Sequence, residues 1–145
     1  MAKVIYAHIE PKFEYICSRE GETLEDQLNR EWGFEEYKRL KQDIIKRGIK
    51  YPVVLAYNDE ECEWKAEVGN QRIRIALELG IEKIPAVTYA LDAPNDFDGQ
   101  EIKEMKDIHT IFGNDIINEP AYNNIVAAIT KVHRHIEMMS HVKRP

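Results

Sequence analysis

Between Phe34 and Tyr89 the apolar residues switch repeatedly between helical and strand spacing, and this alternation constrains the fold more than any other feature of the chain. Phe34, Tyr37, Leu40, Ile44 and Ile45 recur at helical intervals. Gly48 follows Lys46 and Arg47, where a glycine cap and cations suit a helix C-terminus. The runs "YPVVLAY" and "EWKAEV" are rich in β-formers and flank "NDEEC", which predicts a hairpin turning at Asn58 to Glu61. Trp64, Ala66 and Val68 are expected on one face of the second strand. Gly69 ends that strand, Asn70 can cap a helix, and Ile73, Ala76 and Leu77 supply the helix's buried stripe up to Gly80. "IPAVTY" then returns as a strand. Helices interspersed with strands in this order predict an α+β domain with a mixed sheet, not a regular βαβ repeat.

The flanks are less regular. "KVIYAHIE" predicts a strand ending before Pro11, whereas Pro11 to Gly33 is polar and reads as an exposed loop or a short amphipathic helix. After Tyr89, "LDAPNDFDGQ" has the composition of a loop or boundary, which divides the chain into a domain over 1–90 and a loop with helical extension over 91–145. In the extension "EIKEMKDIHTIFG" predicts a short helix stopped by Gly113. Ile125, Ala128, Ile129, Val132, Ile136 and Met139 mark an amphipathic C-terminal helix of about five turns. Such a stripe suits packing on its own domain or a homodimer seam, and the first is commoner.

With 145 residues, 43% of them hydrophobic and 32% charged, the chain can bury one sizeable core. It shows no charged start before an apolar run and no apolar stretch long enough to cross a bilayer, so a cytoplasmic protein without membrane contact is expected. The net charge of −6 argues against coating nucleic acid by charge alone. Residues 38–50 are the exception, a basic island with six cations and one acid, which suits either the wet face of a helix or a rim around an anion site. Cys17 and Cys62 lack disulfide or zinc spacing. His133, His135 and His141 lack the i, i+4 pattern of a helical metal site with a completing ligand, and Asp59, Glu60 and Glu61 read as a solvated turn. No metal site is expected.

The stretch with chemical content is "VGNQRIRIALELG", Val68 to Gly80. A glycine at a helix start lets an anion approach the backbone, and the first-turn N–H groups point outward without intrahelical partners. Arg72 adds a planar fork for two phosphate oxygens, with Asn70, Gln71 and Arg74 beside it. The same residues also suit a plain helix cap with surface cations.

Taken in order, "DIIKRGIKYPVVL", a hairpin and "EVGNQRIRIALELGIEKIPAVTY" resemble the ParB/sulfiredoxin superfamily over about residues 38–90, with Lys3 to Glu10 as a first strand. There a helix ending in Gly precedes an x-Pro-(Ile/Val)-x-Val strand, and a hairpin delivers a Gly-x-x-Arg box at a helix start. The ParB box, Gly-Glu-Arg-Arg-x-Arg-Ala-Ala, holds nucleotide phosphates; Gly69, Arg72, Arg74 and Ala76 match it, while Asn70 and Gln71 depart from it. In sulfiredoxins the residue after the glycine is the nucleophilic cysteine. Asn70 stands there, which excludes sulfinic acid reduction. Tyr51 replaces the glutamine that precedes the proline in ParB clamps, and the downstream Glu-Asn-x-x-Arg motif has no counterpart.

The resemblance implies a nucleotide or other phosphate-bearing ligand, with or without Mg²⁺, at Gly69 to Arg74, with Gly48 and Tyr51 lining the opposite wall. It further implies kinase or NTPase activity, for which Glu10, Glu14 and Glu67 are the candidate acids, and a phage or mobile-element setting. The alternatives are an interaction module with a DNA or protein partner, and a ParB-like DNA nuclease.

Overall fold

A computed structural model describes residues 2–17, 23, 25–26 and 33–142. Most of the polar stretch 18–32, expected as loop or amphipathic helix, lies outside the described residues.

Five strands form one mixed sheet: β1 (Lys3–Ile9), β2 (Val53–Asn58), β3 (Glu63–Val68), β4 (Ile84–Ala90) and β5 (Gln100–Glu101), in the order β3-β2-β4-β1-β5. β2 and β4 run parallel, and the other neighbours are antiparallel. The helices are α1 (Phe34–Arg47), α2 (Asn70–Leu79), α3 (Met105–Phe112) and α4 (Pro120–Val142), with 3₁₀ turns at Phe13–Tyr15 and Asn114–Asn118. The α+β class and mixed sheet expected from the sequence are therefore present.

Alternation along the strands divides the core into two. Val4, Val54, Val87 and Tyr89 face α3 and α4, meeting Ile108, Ile125, Ala128, Ile129 and Val132. Ile5, Ala7, Ile9, Val53, Leu55, Ile84 and Ala86 face α2 and the 3₁₀ turn at Phe13–Tyr15, meeting Ile73, Ala76, Tyr15 and Ile16. β4 is buried at every position because it is central and covered on both faces. α1 lies outside α2, where Tyr37 and Ile44 enclose Ile75. Each wholly buried Leu or Ile contributes ~1.5–3 kcal/mol relative to exposure.

Four local expectations change. Val54 pairs with Val68 but Leu55 pairs with Ala66, so Glu67 is an extra residue in a β-bulge. The bulge moves Val68 to the α4 side while Ala66 stays on the α2 side, and the two do not share a face. In α2, Leu77 is 39% exposed and Ile75 fully buried, because the helix is covered by α1 as well as by the sheet. The loop after β4 also supplies β5, which two polar residues could not announce. Its approach requires Gly99, where a Cβ would lie 2.1 Å from the Tyr6 carbonyl oxygen. Finally, the basic island is largely neutralised: Lys38, Arg39, Lys41 and Arg47 pair with Glu35, Glu36, Glu78 and Asp43.

The apolar stripe of α4, 23 residues long, packs on this chain's own sheet from Ile125 through Val132. No helix among the described residues is long and apolar enough to cross a membrane.

Candidate functional site

The hairpin delivers Gly69 to the start of α2 in a conformation only glycine tolerates. Its φ is +99°, and a Cβ there would lie 2.4 Å from Val53 Cγ1. The chain thus turns tightly against β2 and enters the helix, whose first internal bond runs from the Ile73 N–H to the Gly69 carbonyl at 3.0 Å. Among the described residues no side-chain cap hydrogen bond closes this end. Asn70, expected as the cap, is instead the first helical residue, and its Oδ1 accepts from the Cys17 N–H at 2.9 Å. A side chain engaged 53 positions back along the chain cannot also fold over its own helix end.

The two arginines part company here. Arg74 is 8% exposed, and its Nη1 donates to Oε1 of buried Gln71 at 2.7 Å. Its charge acts on Tyr37 and Glu78. Glu78 in turn accepts from the Tyr37 hydroxyl and pairs with Lys41 Nζ at 2.8 Å. Burial alone would raise the Glu78 carboxyl, but the hydrogen bonds from Lys41 and Tyr37 and the charges of Lys41 and Arg74 hold it below its ordinary value. Arg74 and Glu78 therefore act at the α1–α2 interface, while Gln71, bonded to Arg74, also lines the cleft beside Arg72.

Arg72 points elsewhere. It lines a cleft of about 300 Å³ together with Leu40, Glu67, Val68, Gly69, Asn70, Gln71 and Pro120. Burial lowers its pKa, opposed by the charges of Glu119 and Asp43, and the guanidinium remains ionised at neutral pH. Among the described residues nothing closes on it at hydrogen-bond or ion-pair distance. The long helix α4 begins at Pro120, so the cleft is bordered by the N-termini of two helices.

Glu67, projecting from the bulge, supplies the acid of this cleft. Its Oε2 accepts from the Tyr89 hydroxyl at 2.8 Å, and Lys131 Nζ donates to the same hydroxyl at 3.2 Å. Burial, then the neighbouring Glu67, push the Tyr89 phenol well above its ordinary pKa, so it stays protonated and donates. The roles of Tyr89 and Lys131 were not anticipated; a strand tyrosine and a lysine on the polar side of a helix carry no signal until the fold joins them. Of the other candidate acids, Glu10 borders a separate groove with Pro11 and the C-terminal end of α2, and Glu14 offers its backbone carbonyl to Lys65 Nζ at 2.7 Å.

Gly48 and Tyr51 are not in the cleft wall. Gly48 ends α1, its N–H bonding the Ile44 carbonyl at 2.8 Å, and Tyr51 packs on the α4 side of the sheet. His133 Nε2 lies 2.8 Å from the Lys103 carbonyl oxygen, and His135 Nε2 lies 3.1 Å from Asp92 Oδ1. The side chain of His141 lies outside the described residues. Among the described residues no three His, Cys, Asp or Glu side chains converge as a metal site.

No family profile matches the chain. It is 36% identical over 58 residues to the uncharacterised protein ORF326b of Acidianus two-tailed virus. That match spans 40% of this chain and 16% of the viral protein. Among solved structures it is similar to sulfiredoxin from Arabidopsis thaliana, with 15% identity, TM-score 0.40, 58% of this chain and 83% of that one. It is also similar to a Pnob8-like ParB-N domain, with 15% identity, TM-score 0.42, 99% of this chain and 50% of that one. Within this chain, the local order that suggested the ParB/sulfiredoxin superfamily is present: α1 ends at Gly48, β2 follows Pro52, and the hairpin leads through Gly69 into α2.

Proposed function

We propose that the cleft at Gly69 to Arg72 binds the phosphate of a nucleotide or a related phosphate-bearing ligand. The observation that carries this reading is the Arg72 guanidinium, partly buried beside the helix start and without a hydrogen-bonding partner among the described residues. An arginine partly desolvated in this way loses some of its hydration, and a phosphate would supply two acceptors in the plane of its fork. The cleft volume falls at the lower end of small-ligand sites. Mg²⁺ would enter with a nucleotide, coordinated by its phosphates.

Equilibrium titration with nucleoside triphosphates and pyrophosphate tests the reading. Wild-type protein binds, Arg72→Ala loses at least ~10-fold in affinity, and Arg72→Lys recovers only part of it because a point charge cannot reproduce the fork. Equal affinity in all three proteins would refute it. Turnover as a kinase or NTPase would require a base in the same cleft, and Glu67 is the acid that lines it.

A further inference from the structure

Helices α1 and α4 are attached to the fold in different ways. α4 is seated on the sheet along Ile125, Ala128, Ile129 and Val132. Among the described residues α1 packs chiefly on α2, and two of its fourteen residues, Tyr37 and Ile44, are buried. Ile45, on the same helix, is 54% exposed. The polar part of the attachment converges on one side chain. Glu78 of α2 accepts from the Tyr37 hydroxyl through Oε1 and pairs with Lys41 Nζ through Oε2 at 2.8 Å, so both donors come from α1, one turn apart. Glycines bound the helix, Gly33 at φ +92° and Gly48 at φ +73°, with open space where a Cβ would lie. Packing does not call for glycine at either position. A change of backbone direction does, and the ends of an element are where hinges form.

We infer that α1 is a flap, hinged at Gly33 and Gly48 and clasped at Glu78, that lifts off α2 as a unit while the sheet and α4 stay folded. Leu40 of α1 lines the Arg72 cleft and the charge of Asp43 acts on Arg72, so lifting the flap widens the cleft and removes an acid from its surroundings. The inference stands on packing and holds whether or not the cleft binds phosphate.

Thiol labelling tests it. In a background carrying Cys17→Ser and Cys62→Ser, a thiol is placed beneath α1 by Ile75→Cys or beneath α4 by Val87→Cys, both wholly buried positions. Its rate of reaction with a disulfide reagent in native buffer reports how readily the cover opens. The Ile75→Cys protein is expected to label at least ~100-fold faster than the Val87→Cys protein. Adding Glu78→Ala, at a side chain 34% exposed, speeds labelling of the Ile75→Cys protein by ~10-fold, the scale of the hydrogen bonds lost. Adding Val132→Ala, which loosens α4, speeds the Val87→Cys protein and leaves the Ile75→Cys protein unchanged, because α4 stays packed whether the flap is open or shut. Equal labelling at the two positions, a shared response to Val132→Ala, or no response to Glu78→Ala overturns the flap. Hydrogen exchange of the unsubstituted protein makes the comparison without a core substitution. Amides of α1 should exchange far faster than those of β4, since a detached helix of fourteen residues is marginal in water, and equal protection of the two overturns the inference.

Discussion

Arg72 and Arg74 stand two positions apart on one helix, yet the regions they serve are opposites. Around Arg74 the polar groups are engaged with one another: Gln71 accepts from Arg74, and Glu78 accepts from Tyr37 and pairs with Lys41 across the α1–α2 interface. Around Arg72, among the described residues, no side-chain cap closes the helix start, the guanidinium has no hydrogen-bonded partner, and the wall contains space. A Gly-x-x-Arg-x-Arg pattern thus does not make its arginines equivalent. A turn of 100° per residue sends one into packing and leaves the other at the mouth of a cleft.

The largest effect should come from the residue that shapes both regions. Gly69→Ala is expected to destabilise the protein by about 3 kcal/mol, combining left-handed backbone strain with overlap against Val53. Urea unfolding measures this, and a loss under ~1 kcal/mol would mean that β2 yields easily. Next, Arg74→Met should cost about 2 kcal/mol by removing the buried hydrogen bond to Gln71 and a positive charge near Glu78, whereas Arg72→Met should change stability by less than ~0.5 kcal/mol. Similar losses from both would erase the distinction between the regions.

A smaller effect separates the two regions by pH. Glu78 is held below its ordinary value of 4.5 in the folded state, despite burial, by the bonds from Lys41 and Tyr37. A carboxyl whose folded pKa is depressed contributes stability above its unfolded pKa and loses it as pH falls through the folded value. Stability should therefore decline below about pH 4.5, and Glu78→Gln should flatten part of that decline in denaturant titrations at successive pH values. The Lys41–Glu78 side chains are about a third exposed, so the contribution is modest. The smallest effect is expected remote from both regions. Cys62 holds φ +56° in the hairpin turn, and Cys62→Gly should raise stability by about 0.5 kcal/mol in thermal unfolding, with no change at the cleft.

Much of this architecture was legible in the sequence, because the elements that carry it have one dominant period. Phe34–Arg47 closed at Gly48, the hairpin around Asn58 to Glu61, and Gly69 into the α2 helix all follow from spacing and cap chemistry. What escaped depends on three-dimensional context. The bulge at Glu67 is one extra residue among β-formers and leaves the alternation looking intact. The fate of Asn70 was set by Cys17, far back along the chain, which no local pattern reveals. The cleft showed the same division. Gly69 and Arg72 were visible as a motif, Arg74 was visible but belongs to packing, and Gly48 and Tyr51 lie outside the wall. The Glu67–Tyr89–Lys131 chain exists only once β3, β4 and α4 are assembled.

The proposed function stands on Arg72 being available to a phosphate. The most direct measurement is the thermal shift of wild type and Arg72→Ala across nucleoside tri- and diphosphates, pyrophosphate and Mg²⁺, since a ligand that prefers the folded state raises the melting temperature. Wild type is expected to shift upward with at least one nucleotide, and Arg72→Ala, with an unliganded melting temperature matching wild type, is not. No shift with any ligand, or the same shift in both proteins, would contradict it.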